Sequence, residues 1–358
     1  MIGFVIALLV TAFMTPLVKR LAFRIGAVDR PNARKVHGRV MPRLGGLAMY
    51  LGFVAALSVM WPGHPSAYVL LIGGGIILLV GMLDDKYQLH PVAKLCGQFL
   101  AALVPLIYGF QVKLLNLPFD NDNVLLGWLS VPVTLVWVIG VTNAVNLIDG
   151  LDGLAAGVAA IATTSMMVMA VIMNNGPVVF LCSLLLGSII GFLFFNFHPA
   201  RIFMGDSGSL FLGYSLAVLS LLGFKQVTFV SLVIPILILA VPISDTFFAI
   251  IRRILLKRPI MQPDKNHLHH RLLEMGLTHR QTVLCIYGIA AFFGTLAVLL
   301  SRATALEAII IFVIISIVAE IGVEKIGLAG KKYQPVPKLM RRVQCRLRFS
   351  TGSNTKKP

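Results

Sequence analysis

The chain has 358 residues, 58% of them hydrophobic and only 13% charged, and its 31 lysines and arginines against 14 aspartates and glutamates leave a net charge of +17. A soluble domain carries about a quarter charged residues, so this composition excludes a soluble globular enzyme, a disordered chain and an ordinary nucleic-acid-binding domain. A protein embedded in a bilayer satisfies the same numbers. The positive excess then reflects either anionic partners or the lysine and arginine bias that orients membrane proteins.

A membrane helix needs roughly 20 mainly apolar residues. Such stretches occur near 1–18, 44–62, 67–83, 93–112, 124–148, 154–173, 178–195, 209–224, 228–250, 283–300 and 304–327. The expected fold is therefore all-α, a polytopic integral membrane protein with about eleven transmembrane helices over residues 1–327 and a basic tail over 328–358. The first stretch is expected to be a membrane helix rather than a cleavable signal peptide, because Lys19 and Arg20 follow the apolar run rather than precede it. Cys96, Cys182, Cys285 and Cys345 have neither zinc nor redox spacing and read as small hydrophobes. The tail reads as solvated and attracted to anionic headgroups.

Sorting the basic residues by connection decides the topology. The even-numbered connections hold only Lys113, Lys225 and Arg302, while the odd-numbered side holds the other 28. The odd connections and the C-terminus are then cytoplasmic and the N-terminus lies outside. This places a multi-pass protein in the cell membrane and explains most of the charge without any partner.

With so little charge, each acid is informative. Asp84 and Asp85 end the third stretch in LVGMLDDKYQL, where the negative end of a helix dipole opposes them. Either Lys86 compensates them or a divalent metal does, since hard cations prefer carboxylate oxygens. The fifth stretch ends in VTNAVNLIDGLDGLAAG. There Asn143, Asn146, Asp149 and Asp152 recur every third residue, and on a helix they would drift slowly around one face. Such a set suits a metal and a phosphate, although Asp152 alone could be an N-cap of the sixth helix. In NFHPARIFMGDSGSLFLG, Asp206 sits just before the eighth stretch, either at a phosphate-binding helix start or as a cap.

The fourth element is RRILLKRPIMQPDKNHLHHRLLEMG, after the ninth stretch. His267, His269, His270 and Arg271 lie there among further cations without zinc-ligand spacing, and such a cluster suits a pyrophosphate. Asp245, inside the ninth stretch, either serves the site or pairs with a neighbouring cation. All four elements fall on odd connections and share the cytoplasmic face, whereas Asp120 and Asp122 stand alone outside. Chemistry on a cytoplasmic anion with a divalent metal is the reading these residues give.

At these residues the sequence resembles the polyprenyl-phosphate N-acetylhexosamine-1-phosphate transferases over nearly its whole length. The resemblance rests on Asp84-Asp85, the segment Asn143 to Leu154, the F-x-G-D-x-G-S segment Phe203 to Ser209, and His267 to His270, in order. The loop DRPNARKVHGRVMPRLGG, with Lys35 and Gly45-Gly46, is similar as well. The wording of the histidine loop is closest to the branch that uses UDP-N-acetylglucosamine and initiates cell-wall polymers such as wall teichoic acid.

The resemblance implies transfer of N-acetylglucosamine 1-phosphate from UDP-GlcNAc to undecaprenyl phosphate, releasing UMP. It implies Mg²⁺, with Mn²⁺ as a substitute, at Asp206 with Asn146 or another acid completing the shell. Asp84 or Asp85 acts as base or as organiser of metal and phosphate. Asp149 and Asp152 join them among the catalytic acids, and Asp152 with its neighbours orients the uracil end. Lys35, Asn143, Asn146, His267, His269, His270 and Arg271 bind substrate. The rival readings are the phospho-N-acetylmuramoyl-pentapeptide transferase of peptidoglycan synthesis and, remotely, an anion transporter. Transporters bind near the bilayer midplane, often at internal repeats, and no repeat is visible here. No nucleic acid is expected as a partner, and a homodimer stays open.

Overall fold

The computed structural model describes residues 1–30, 40–60, 63–112, 114–116, 123–223, 233–255, 257 and 267–326. Lys35, Lys113, Asp120, Asp122, Lys225 and the tail lie outside these residues. The elements in chain order are α1 (Ile2–Ile25), β1 (Val28–Asp29), β2 (Met41–Pro42), α2 (Gly45–Val59), α3 (Pro65–Tyr87), α4 (Pro91–Ile107), β3 (Leu114–Asn116) and β4 (Asn123–Leu125). They continue with a single 3₁₀ turn (Gly127–Leu129), α5 (Ser130–Leu147), α6 (Leu154–Ile172), α7 (Gly176–Asn196), α8 (Gly205–Gly223), α9 (Val233–Ile238), α10 (Ala240–Leu255), α11 (Leu268–Glu274), α12 (His279–Leu300) and α13 (Ala305–Ile326). The strands form two short antiparallel ladders, β1 with β2 and β3 with β4.

Among the described residues, seven helices are long and apolar enough to cross a membrane: α1, α3, α5 with its 3₁₀ turn, α6, α7, α8 and α12. Shorter apolar helices occur at α2, α4 and within α13. The protein is an all-α polytopic membrane protein. Its outer faces carry Phe13, Leu79, Val136 and Phe194, all more than half exposed. Lipid tails are as apolar as these side chains, so their exposure costs nothing there.

The core is built around α8, whose apolar stretch is 94% buried. Without a hydrophobic drive between helices in lipid, close approach depends on small residues. Gly187 and Gly191 of α7 lie against the carbonyls of Phe4 and Leu8 in α1, where a Cβ would overlap them. Gly73 of α3 leaves room for the ring of Tyr214, whose hydroxyl donates to Val69 O at 3.2 Å. Trp137 of α5 donates to Ser220 Oγ of α8 at 2.9 Å. Tyr214 and Trp137 thus place their polar atoms on partners in neighbouring helices, as a dry interior favours.

Two sequence expectations change. The apolar stretch 228–250 is not one helix: α9 and α10 are separated at Leu239. Pro242 explains the break, because it has no N–H for the carbonyl of Ile238 and its ring crowds that turn. The run Asn143 to Asp152 is not one helical face either. Helix α5 ends at Leu147, so Asn143 and Asn146 are helical while Asp149 and Asp152 lie in the turn before α6. Gly153, at φ 76°, takes the left-handed conformation that closes this turn.

Candidate active site

The start of α8 is the structural centre of the site. Asp85, at the end of α3, accepts hydrogen bonds from Asp206 N at 2.8 Å and Ser207 N at 3.0 Å. Its side chain is fully buried, with Arg43 Nε 3.9 Å away. One carboxylate therefore caps a helix whose first N–H groups have no intrahelical partner. Gly205, at φ 70°, brings the backbone so close that a Cβ would overlap this carboxylate. Gly46 and Gly81 do the same service on either side, each against the backbone at Ser207. The chain before α8 is tied to β2, with Phe203 N donating to Pro42 O at 2.9 Å and Gly45 N to Phe203 O at 3.1 Å.

Capping leaves the neighbouring carboxylates turned to a different task. Lys94 Nζ of α4 donates to Asp84 Oδ2 at 3.0 Å and Asn146 Oδ1 at 3.2 Å, and it pairs closely with Asp206 Oδ2. Asn146 in turn donates to Ser209 Oγ at 2.8 Å, and Asp84 Oδ1 accepts from Leu89 N at 2.7 Å. Three oxygens from α3, α5 and α8 thus converge on one positive charge. Hard oxygen donors around one point are what a divalent cation such as Mg²⁺ requires, and Asp84, Asn146 and Asp206 are the residues that could hold it. Asn143 stands one turn away in a reciprocal amide pair with Gln98, at 3.1 and 2.6 Å, which ties α4 to α5.

Beside this group opens a cavity of about 320 Å³, lined by Asp29, Arg43, Asp149, Asp152, His198 and His270 among others. That volume suits a small-molecule ligand. Asp152 does not cap α6; its Oδ2 meets His198 Nδ1 at 2.9 Å and accepts from Ala200 N at 3.0 Å. His198 stacks on His279 at 4.1 Å between centroids. Asp152, His198 and His279 each bring a ligand atom within 4.8 Å of the others, a set that could also hold a metal. Asn196 fixes the turn, accepting from Gly153 N at 3.1 Å and donating to Ile202 O at 3.0 Å.

The histidine segment closes the cavity from α11. His269 packs against Gly150, where a Cβ would overlap its ring, and lies 4.2 Å from His270. His267 meets Asp245 Oδ2 through Nδ1 at 2.9 Å. Arg271 donates to Glu274 at 3.4 Å.

Charge follows from these positions. Burial pushes the Asp149 carboxyl up to about 7, with the charge of Asp206 adding to it and Arg43 opposing. Burial likewise pushes His269 down to about 3, helped by His270, so at neutral pH this ring offers an uncharged N–H. Burial opposes the charge on Arg43, yet Asp85, Asp206, Asp29 and Asp149 together raise its pKa.

The Asp149 shift has a measurable consequence. A carboxyl whose folded pKa lies above its unfolded value near ~3.9 destabilises the fold as pH rises from the lower value towards the upper one. We expect Asp149→Asn to stabilise the substrate-free protein more at pH 8 than at pH 5. Thermal unfolding of the detergent-solubilised protein measures this, and an equal gain at both pH values would contradict it.

Of the residues expected from the sequence, Asp84, Asn146 and Asp206 come together, Asp149, Asp152 and His270 line the cavity, and His267 and His269 adjoin it. Asp85 caps, Asn143 braces and Arg271 pairs with Glu274. Sequence reasoning passed over Lys94, Arg43, His198 and His279. Lys94 and Arg43 were absorbed into the topological charge, although a lysine inside the apolar stretch 93–112 is itself a signal. His198 lies within the quoted NFHPAR stretch, eight residues before Asp206.

The helical membrane bundle gathers carboxylates and amides at the ends of α3, α5 and α8, and imidazoles from α11, α12 and the segment after α7, into one site with the groups a phosphate-handling enzyme uses. Residues 67–224 match glycosyl transferase family 4. The chain is 47% identical over 346 residues to a probable undecaprenyl-phosphate N-acetylglucosaminyl 1-phosphate transferase of Bacillus subtilis, covering 96% of each. It is 35% identical over 320 residues to a decaprenyl-phosphate N-acetylglucosaminephosphotransferase of Mycolicibacterium smegmatis, covering 80% of this chain and 79% of the relative. It is 25% identical over 342 residues to the undecaprenyl-phosphate alpha-N-acetylglucosaminyl 1-phosphate transferase of Escherichia coli K12, covering 94% and 92%. The chain belongs to glycosyl transferase family 4 and is a phosphoglycosyl transferase.

Proposed function

We propose that the chain transfers N-acetylglucosamine 1-phosphate from UDP-GlcNAc to undecaprenyl phosphate on the cytoplasmic side of the cell membrane, as the first step of a cell-wall polymer such as teichoic acid. The observation that carries this reading is the convergence of Asp84, Asn146 and Asp206 on the Lys94 ammonium beside the cavity at Asp149 and Asp152. The 28 basic residues on one set of connections against three on the other support the cytoplasmic orientation, with about eleven spans and the N-terminus outside.

An oxygen of the lipid phosphate attacks the sugar-bearing β-phosphorus. A new P–O–P linkage forms, the bond between the α- and β-phosphates breaks, and UMP leaves. The second pKa of a phosphate monoester lies near ~6, so the acceptor is already largely dianionic at pH 7 and needs no general base. An organising role for the Asp84-Asp85 pair follows, in keeping with the capping bonds of Asp85. Bound Mg²⁺ at Asp84, Asn146 and Asp206 would neutralise charge on the two approaching anions. The chain's own cations, Lys94 and Arg43, screen the same repulsion. His267, His269 and His270 hold the diphosphate and sugar, and Asp152 orients the uracil end.

Purified protein with polyprenyl phosphate, Mg²⁺ and each UDP-sugar tests the proposal by UMP release. UDP-GlcNAc should be the preferred donor. Turnover with the muramoyl-pentapeptide donor but not with UDP-GlcNAc would replace this assignment by the peptidoglycan reaction.

A further inference from the structure

An ionised side chain buried in a protein interior is costly unless it is paired and fully hydrogen-bonded. Asp245, within α10, is only 1% exposed. Both of its oxygens reach a single distant segment: Oδ2 meets His267 Nδ1 at 2.9 Å, and Oδ1 accepts from Leu268 N at 2.8 Å. Leu268 is the first residue of α11, whose early N–H groups have no intrahelical partner. The carboxylate therefore anchors the start of the helix that carries His269 and His270.

The same contact sets the chemistry of His267. A carboxylate only accepts hydrogen bonds, so Nδ1 carries a proton and Nε2 is the nitrogen left for a ligand. The ring of His267 lies parallel to that of His269, 6.0 Å away, and His269 is seated on Gly150 in the Asp149–Asp152 turn. His270, 4.2 Å from His269, lines the cavity. An unbroken series of contacts leads from the interior of α10 to the proposed diphosphate site.

We propose that Asp245 is a positioning residue. It fixes the tautomer of His267 and the placement of the His267–His270 segment, so the donor diphosphate meets a pre-formed set of imidazole groups. The functional half of this inference rests on the transfer reaction proposed above; the structural half does not.

The Asp245→Asn variant separates the two contacts. The amide keeps an oxygen for Leu268 N–H but no longer dictates which nitrogen of His267 is protonated. Nitrogen-15 spectra of the full-length, histidine-labelled protein in lipid nanodiscs, with His267 assigned by its absence in His267→Gln, read the ring directly. The native protein should show Nδ1 protonated, and Asp245→Asn should lose that preference. A native His267 with the proton on Nε2 alone would overturn the proposal.

In kinetics, Asp245→Asn should lower kcat/KM for the donor by about 10- to 100-fold, leaving the acceptor KM within about twofold. In a His267→Ala background the same change should add less than about twofold, since Asp245 acts through His267. A full, additive loss in that background would overturn the role. Absence of native turnover with UDP-GlcNAc, together with the expected tautomer, would sink the reaction assignment and leave the positioning contact standing.

Discussion

Asp206→Ala should abolish turnover, by about 10³-fold or more, while the protein still inserts and extracts from membranes as a folded species. Asp206 lies in the first turn of α8, and its Oδ2 is in direct contact with Lys94 Nζ. Removing it deletes one of three oxygens around the cation point and leaves the Lys94 charge less compensated. Losses of this size are expected when a group that stabilises developing charge is removed from a water-excluded site. The fold has less at stake, because the cap on α8 comes from Asp85 and the backbone N–H of residue 206 survives the substitution. UMP release, with size-exclusion behaviour in detergent as the folding control, checks both halves. Substantial Mg²⁺-dependent activity in the variant would remove Asp206 from the site.

Asp85→Ala should act in the opposite way, through stability first. The side chain is fully buried and accepts from two backbone N–H groups while facing Arg43. Its removal orphans both donors and takes away one of the two carboxylates 3.9 Å from Arg43, leaving Asp29 as the other. Each orphaned buried donor costs about 1–3 kcal/mol, and the lost contact with the partly exposed Arg43, which keeps Asp29, adds less than that. These effects overlap, so we expect a loss of about 3–5 kcal/mol. A marked fall in thermal midpoint and in folded yield is the outcome to look for. Unchanged stability with lost activity would instead make Asp85 a chemical participant.

The contrast between these adjacent aspartates shows where sequence reading stops. Both appear in the sequence as one pair at a helix end, to be compensated either by Lys86 or by a divalent metal. In the structure Lys86 lies over the ring of Tyr87, Lys94 compensates Asp84, and Arg43 compensates Asp85. Which carboxylate caps and which faces the cation depends on α8, more than a hundred residues later, and no local pattern encodes it. The apolar stretches at 154–173 and 178–195 were legible because lipid imposes their length and composition. The interruption at Leu239 was hidden because hydropathy runs through it unbroken, although Pro242 carried the information. The every-third-residue recurrence of Asn143, Asn146, Asp149 and Asp152 drew attention to residues that the structure does not place on one helical face. Two lie on α5, and two lie in a turn held by Asn196 and His198. The convergence of four segments on one face was legible from connection parity alone, because helices of similar length alternate sides.

The reaction assigned to this site makes one statement that no binding measurement can reach: the phosphate next to the sugar travels with it. Donor labelled with ³²P at the β-position, incubated with purified protein, undecaprenyl phosphate and Mg²⁺, should deliver its label to the lipid phase, with unlabelled UMP remaining in water. Label left in water as UDP, with the sugar alone in the lipid, would mean attack at the sugar carbon and would contradict the account.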